Sequence, residues 1–212
     1  MLALYGYYRS SAAYRLRIAL NLKGLEYENI PVSLLAGEHR NEEYLKLNAQ
    51  GLVPALKDGG LTLGQSMAIL EYLEETRPEV PLLPADAAGR ARVRQIANII
   101  ACDIHPLDNL RVLKYLKGDL GISDEAKEIW YRHWIRLGFE AIEAMLQDGA
   151  SGRYCHGDTP TMAEACLIPQ LYNARRFNTP LDEFPTILRI EELCNSQDPF
   201  IRALPENQPD AS

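Results

Sequence analysis

Residues 77–85 read Arg-Pro-Glu-Val-Pro-Leu-Leu-Pro-Ala, with three prolines in nine positions. Proline fixes φ and removes a backbone donor, so neither a helix nor a central strand runs through such a stretch. It reads as a semi-rigid linker. The spacing of apolar residues differs on its two sides. Before it, short strand-type runs alternate with helix-type ones; beyond it the periodicity is helical throughout. Two domains are therefore expected, at 1–78 and 86–212.

In the first part, Leu2 to Tyr7 has strand character. A helix is expected over about 11–23, with Tyr14, Ile18, Ala19 and Leu22 on one stripe and Gly24 as its stop. A second strand covers about 27–32 and a short helix about 42–47. Val53 to Lys57 and Leu61 to Leu63 flank Asp58-Gly59-Gly60, a hairpin signal. A helix over 65–75 follows, with Met67, Ile69, Leu70 and Leu73 inward. The order is β-α-β-α-β-β-α, and a right-handed crossover makes the first two strands parallel.

In the second part, residues 87–116 predict one long helix interrupted near Pro106. Ser123 caps another, with Asp124 and Glu125 at its positive end and Trp130, Trp134, Leu137, Ala141 and Met145 as its buried stripe. Thr161-Met-Ala-Glu164 has the form of a capping box, and Pro185 opens a further helix.

The charge balance, 22 basic against 29 acidic side chains for a net −7, argues against nucleic acid or an anionic membrane as partner, since both need a basic face. It leaves room for a small anion, which responds to local arginines. Met1 to Tyr5 lack the basic and apolar regions of a signal peptide, and no run approaches the roughly 18 apolar residues of a membrane span. Cys102, Cys155, Cys166 and Cys194 form neither a Cys-x-x-Cys pair nor metal-ligand spacing. They read as thiols of a reducing compartment, and a cytoplasmic protein is expected.

Several clusters carry chemistry-bearing groups. Tyr7-Tyr8-Arg9-Ser10-Ser11 lies between the first strand and the first helix. A helix N-terminus favours an anion, a thiolate included, and a hydroxyl donating to sulfur lowers a thiol's pKa; equally, either serine can serve simply as the cap. Val53-Pro54 precedes the hairpin and suits either a cis peptide, turning the Val53 backbone towards a peptide-like ligand, or an ordinary edge strand. Gln65-Ser66 opens the next helix, where an α-carboxylate or plain capping explains it. His105-Pro106-Leu-Asp-Asn109-Leu-Arg111 puts His105 and Asn109 on one helical face with Arg111 further round. Asn173-Ala-Arg175-Arg176 offers an arginine pair for an anion or for surface ion pairs.

Taken together these segments resemble the zeta class of glutathione transferases. The family opens with a strand, then Arg-Ser-Ser-Cys, then a helix of the form Trp-Arg-Val-Arg-Ile-Ala-Leu. Here the run is Arg9-Ser10-Ser11-Ala12-Ala13-Tyr14-Arg15-Leu16-Arg17-Ile18-Ala19-Leu20. Leu47-Asn48, Val53-Pro54, Gln65-Ser66 with Ile69 to Glu75, His105 to Leu113, and Thr161 to Phe177 also match, so the likeness spans nearly the whole chain. It implies a thioredoxin-like α/β N-terminal domain that binds glutathione, an all-helical C-terminal domain on the substrate side, and a homodimer. Carried over, glutathione contacts fall at Ser10, Ser11, His39, Val53, Gln65, Ser66, His105 and Asn109. The loop around Gly37 looks shorter than is usual for the family, which bears on His39. Where the family has its cysteine this chain has Ala12, so the nucleophilic sulfur must come from glutathione.

The reaction the resemblance implies is cis–trans isomerisation of a maleyl diacid. Glutathione thiolate adds to the conjugated double bond, the resulting single bond rotates, and the thiolate leaves, so glutathione is a cofactor. Ser10, Ser11 and Arg9 serve the reacting centre. Arg9, Arg111 and Arg176 are expected to hold the substrate carboxylates, which arginine forks match in geometry. Maleylpyruvate, on the gentisate route of aromatic breakdown, is the expected substrate. Maleylacetoacetate is the alternative, and two rival functions are a general transferase or dehalogenase and a non-enzymatic interaction protein.

Overall fold

The computed structural model describes residues 1–211, and its contacts divide the chain into two units: one formed by Met1–Leu83 with the residues from Asn195 onward, the other by Pro84–Cys194. The last segment thus groups with the N-terminal unit, where the linker boundary placed it with the helical one.

The first unit is built on a four-stranded sheet of order β2-β1-β3-β4. Strands β1 (Leu2–Gly6) and β2 (Tyr27–Pro31) pair in parallel, joined through helix α1 (Ser11–Leu22). Helix α2 (Glu42–Leu47) leads to strands β3 (Ala55–Asp58) and β4 (Leu61–Gly64), an antiparallel hairpin that sets β3 against β1. Gly59, at φ 57°, supplies the left-handed turn that the Asp-Gly-Gly signal foretold. Helix α3 (Ser66–Thr76) completes the unit's first pass.

Helix α1 is buried from Ser11 through Leu20, on every face and not on a single stripe. Its two arginines are therefore interior. Arg17 donates from Nε to the Ala203 carbonyl at 3.0 Å and from Nη2 to the Tyr8 carbonyl at 2.9 Å, and burial lowers its pKa to about 10. Ala203 ends helix α10 (Asp198–Ala203), reached after the helices of the other unit. This bond, with Asn21 donating to the Pro199 carbonyl at 2.9 Å, seats α10 on α1.

The proline-rich stretch is pinned where a spacer was expected. Lys23 and Glu74, 1% and 6% exposed, form a buried ion pair at 2.9 Å. Lys23 also donates to the carbonyls of Arg77 and Val80, while Glu74 accepts the N–H groups of Leu82 and Leu83. Both remaining Lys23 donors and both Glu74 oxygens thus bind the linker backbone, which holds it against α1 and α3.

The second unit is helical. Helix α4 (Ala87–Asn98) continues into a π-helical turn, Ile99–Ile104, then α5 (His105–Leu107) and α6 (Leu110–Gly118). The expected single helix is thus broken at Asp108 and Asn109, two residues past Pro106, with a wider turn ahead of it. Helices α7 (Asp124–Met145), α8 (Met162–Arg176) and α9 (Pro185–Asn195) follow. Ser123 accepts from Ala126 N–H, and the capping box at Thr161 forms with both of its reciprocal bonds. Glu164, fully buried, also takes the Cys155 N–H at 2.6 Å, so the box ties α8 to the loop before it.

The buried row of α7 is Tyr131, Ile135, Phe139 and Ile142, not the expected Trp130-to-Met145 stripe. Leu137 is 46% exposed, and Trp130 and Trp134 are half-buried with their rings edge to face. Two apolar rows run side by side on this helix, and the Tyr131 row packs inward. Gly138 permits that approach, since a Cβ there would lie 2.2 Å from the Ile104 Cδ1 atom of the π turn. No helix among the described residues is long and apolar enough to cross a membrane.

Candidate functional site

In the first unit, the turn from β1 into α1 puts Arg9, Ser10 and Ser11 in consecutive positions at a helix start. Ser10 is the cap: its Oγ accepts the Ala13 N–H at 3.3 Å, which leaves its O–H free to donate. Ser11, 5% exposed, is the first helical residue. The two readings of this pair are therefore compatible. Behind the turn, Asp210 accepts the Tyr8 N–H at 3.0 Å. Arg9 is oriented by its neighbours, with Nη2 donating to the Tyr7 hydroxyl at 3.1 Å and the guanidinium 5.0 Å from the Tyr8 ring centre.

The Val53–Pro54 bond is cis. The loop that carries it is shaped by side chains from α2 and its end. The Tyr44 hydroxyl and the Asn48 amide each donate to the Leu52 carbonyl at 2.7 Å, and Asn48 Oδ1 accepts the Gln50 N–H. His39 lies in a short 3-10 turn, Glu38–Arg40, seated against this loop. A Cβ on Gly51, whose φ is 59°, would stand 2.9 Å from the His39 carbonyl oxygen, so only glycine allows the two segments to meet.

At the start of α3, Gln65 has φ 64° and ψ 110°, a sparsely populated conformation for a non-glycine residue. Its side chain donates to Gln50 at 2.7 Å, linking it to the same loop. Ser66 is buried, and its Oγ accepts from Arg15 Nη1 at 3.1 Å. Arg15, which sequence reasoning passed over, thus carries charge from inside α1 to the first residue of α3. Neither α1 nor α3 has an acidic residue in its first turn, whereas α2, α7 and α8 do. Two positive helix ends, each with a serine, are thus left uncompensated within one unit.

In the second unit, the Asn109 amide nitrogen and His105 Nε2 lie 3.4 Å apart, not across a shared helical face as expected but across the break, Asn109 being the extended residue ahead of α6. Asn109 caps α6, its Oδ1 accepting the Arg111 N–H at 3.1 Å. Arg111 is exposed. The arginine pair divides its labour: Arg175 makes a two-point pair with Glu191, with Nε to Oε1 at 2.9 Å. Arg176 is exposed and lies over the Phe177 ring at 5.6 Å. Arg111 and Arg176 enter no ion pair among the described residues. Arg176 and Asp108 both act on the Tyr131 hydroxyl, whose pKa burial pushes up, so the end of α8 and the α5–α6 turn approach one residue of α7.

No cysteine stands at the start of α1. Ala12 is buried there, Cys155, Cys166 and Cys194 are buried elsewhere, and Cys102 is exposed on the π turn. Burial pushes the Cys155 and Cys194 thiols up, away from reactivity. Among the described residues no His, Cys, Asp or Glu cluster gathers as a metal site. The residues at the two helix starts suit a thiol-bearing peptide with carboxylates, which is the chemistry of glutathione.

Residues 1–75 match the glutathione S-transferase N-terminal domain. A probable maleylacetoacetate isomerase from Vibrio cholerae is 49% identical over 212 residues, 99% of this chain and 98% of the relative. The holo structure of a maleyl pyruvate isomerase, described as a bacterial zeta-class glutathione S-transferase, superposes with a TM-score of 0.97 at 48% identity, covering 99% of this chain and all of that one. A maleylacetoacetate isomerase from Methylobacterium extorquens AM1, solved with bound malonate and glutathione, superposes at 0.95 with 42% identity and 99% coverage of both chains. Identity and coverage of this order place the chain in the zeta class of glutathione transferases, the family of the maleylacetoacetate and maleylpyruvate isomerases.

Proposed function

We propose that this protein is a glutathione-dependent cis–trans isomerase converting maleylpyruvate to fumarylpyruvate in gentisate-route aromatic catabolism. One observation carries the reading: the start of α1 offers two serines and a positive helix end, but Ala12 and no thiol. The sulfur must be brought by a bound cofactor, and the relative solved with glutathione and a small diacid fits that requirement.

The first unit holds glutathione through Ser10, Ser11, His39, Val53, Gln65 and Ser66, and His105 and Asn109 are the further contacts that the family resemblance implies. Bound glutathione supplies a thiolate that lowers the order of the substrate's double bond long enough for it to rotate. The protein's own task is to hold that sulfur ionised and grip the diacid. Hydroxyl donors from Ser10 or Ser11 and the α1 dipole stabilise the anion. Arg15 sets positive charge under Ser66, where a peptide carboxylate binds. Arg9, Arg111 and Arg176 hold the substrate carboxylates. Fixed N–H donors stabilise charge that develops on the substrate without having to reorganise.

Relatives of nearly equal identity carry both substrate names, so maleylacetoacetate is the second reading. Turnover of both compounds with saturating glutathione decides between them. Maleylpyruvate is expected to give the higher kcat/KM, and a preference for maleylacetoacetate reverses the assignment. The protein acts as a cytoplasmic C2 homodimer; sedimentation is expected to give twice the chain mass of 23.9 kDa, and a single-chain mass at micromolar concentration contradicts it.

A further inference from the structure

Asp108 sits where α5 has ended and α6 has not begun, and its side chain has no use in the reading above. It is 7% exposed. Both carboxyl oxygens are sealed from solvent and have no hydrogen-bond partner among the described residues. Buried carboxylates are ordinarily paired or hydrogen-bonded, so this one is an exception that needs a reason.

Its surroundings can be named element by element. On its own segment, the Ile104 carbonyl accepts the Asp108 N–H at 3.2 Å, with His105 and Asn109 beside it and Arg111 exposed at the start of α6. From α7, Trp130 Nε1 donates to the Leu107 carbonyl at 3.0 Å, fixing the residue just before Asp108. Also from α7, the Tyr131 hydroxyl feels the Asp108 carboxyl, and from α8 Arg176 acts on that same hydroxyl in the opposite direction. No charged group offsets Asp108 itself. Burial is the sole cause acting on its pKa, which rises to about 8.

We propose that Asp108 is a positioning residue whose neutral, buried carboxyl keeps the α5–α6 turn seated on α7, and whose ionisation releases that turn. The inference rests on the proposed function only in that the turn carries His105, Asn109 and Arg111. An ionised carboxylate at this place has neither counter-ion nor donor and must reach water. The turn has little else to hold it, since α5 is three residues long and α6 depends on the Asn109 cap. Release therefore disturbs Asn109 and Arg111 together and weakens ligand binding at alkaline pH.

The sign of the stability effect follows from linkage. The folded pKa lies above the unfolded value of about 4, so the folded state binds the proton more tightly. Stability contributed by Asp108 is fully present below about pH 4, declines between 4 and 8, and is flat above. Asp108→Asn, always neutral, is expected to melt higher than the parent by a margin that widens from pH 4 to 8.

The deciding experiment is direct glutathione binding to the parent and to Asp108→Asn from pH 7 to 9.5. The parent's dissociation constant is expected to climb about tenfold per pH unit above 8 relative to the variant's. The ionisation of glutathione itself is common to both and cancels. Superimposable curves overturn the proposal. Should the variant not fold, amide exchange at Asn109–Leu113 in the unmodified protein takes its place. Exchange that accelerates above pH 8 by more than the intrinsic base catalysis supports release, and no excess sinks it. A protein that binds no glutathione at any pH defeats the functional reading instead, and the exchange measurement then judges Asp108 alone.

Discussion

Ser10 caps α1, and the proposed function gives the same side chain a second task. Its oxygen accepts the Ala13 N–H as a helix cap, and its hydrogen is the donor proposed for a sulfur anion. Ser11, one residue on, is buried as the first residue of α1. Removing both hydroxyls in Ser10→Ala/Ser11→Ala takes away donors that favour the ionised thiol. The bound thiol's pKa is then expected to rise, moving the acid limb of the rate profile to higher pH and lowering the rate at neutral pH. Thiolate absorbance of the glutathione complex against pH reads this directly, and an unchanged midpoint removes the serines from the role. At this scale the sequence was informative wherever a residue type has few uses, as for the Asp-Gly-Gly hairpin; Val53-Pro54 left a cis bond and an edge strand open, and the structure makes it cis. Arg15 and Asp108 were not legible, because their importance comes from burial. Nothing local distinguishes an interior arginine bonded to Ser66 from one on a solvated helix face, or a sealed carboxyl from a loop aspartate.

At the scale of elements, the Lys23–Glu74 pair governs how α1, α3 and the proline-rich stretch stay together. Four backbone groups of the stretch are bonded to these two side chains. Removing one partner leaves the other charge buried and unpaired. Glu74→Ala is therefore expected to destabilise the fold by about 3–5 kcal/mol, read by denaturant unfolding, and a loss below about 1 kcal/mol means that the pair is not structural. Composition alone identified this stretch as a spacer, since three prolines say nothing of what lies beneath them. Helix α7 illustrates a different limit. Its existence, cap and acidic first turn followed from Ser123-Asp124-Glu125, but two adjacent apolar rows compete for the core, and Gly138 against Ile104 decides for the Tyr131 row. Likewise Pro106 announced a break without fixing it, and the π turn before it leaves no mark in the apolar spacing.

For the whole molecule, the change of periodicity across residues 77–85 anticipated a sheet-bearing unit and a helical one, while the return of the last residues to the first unit depended on Arg17 and Asn21 binding α10 from within α1. In the proposed function Arg9, Arg111 and Arg176 are the residues that hold the diacid. Losing one charged hydrogen-bonded contact costs about 1.5–3 kcal/mol, so Arg111→Ala is expected to lower kcat/KM for maleylpyruvate by about one to two decades. Turnover within twofold of the parent makes Arg111 a surface residue. The account as a whole depends on a sulfur that the chain does not itself supply at α1, where Ala12 stands. Isomerisation of maleylpyruvate should therefore be followed by proton NMR with and without glutathione, counting both fumarylpyruvate formed and glutathione remaining. The account predicts many turnovers per glutathione with the thiol pool undiminished, and no enzymic rate in its absence. Full activity without glutathione, or its stoichiometric loss into a stable conjugate, contradicts it.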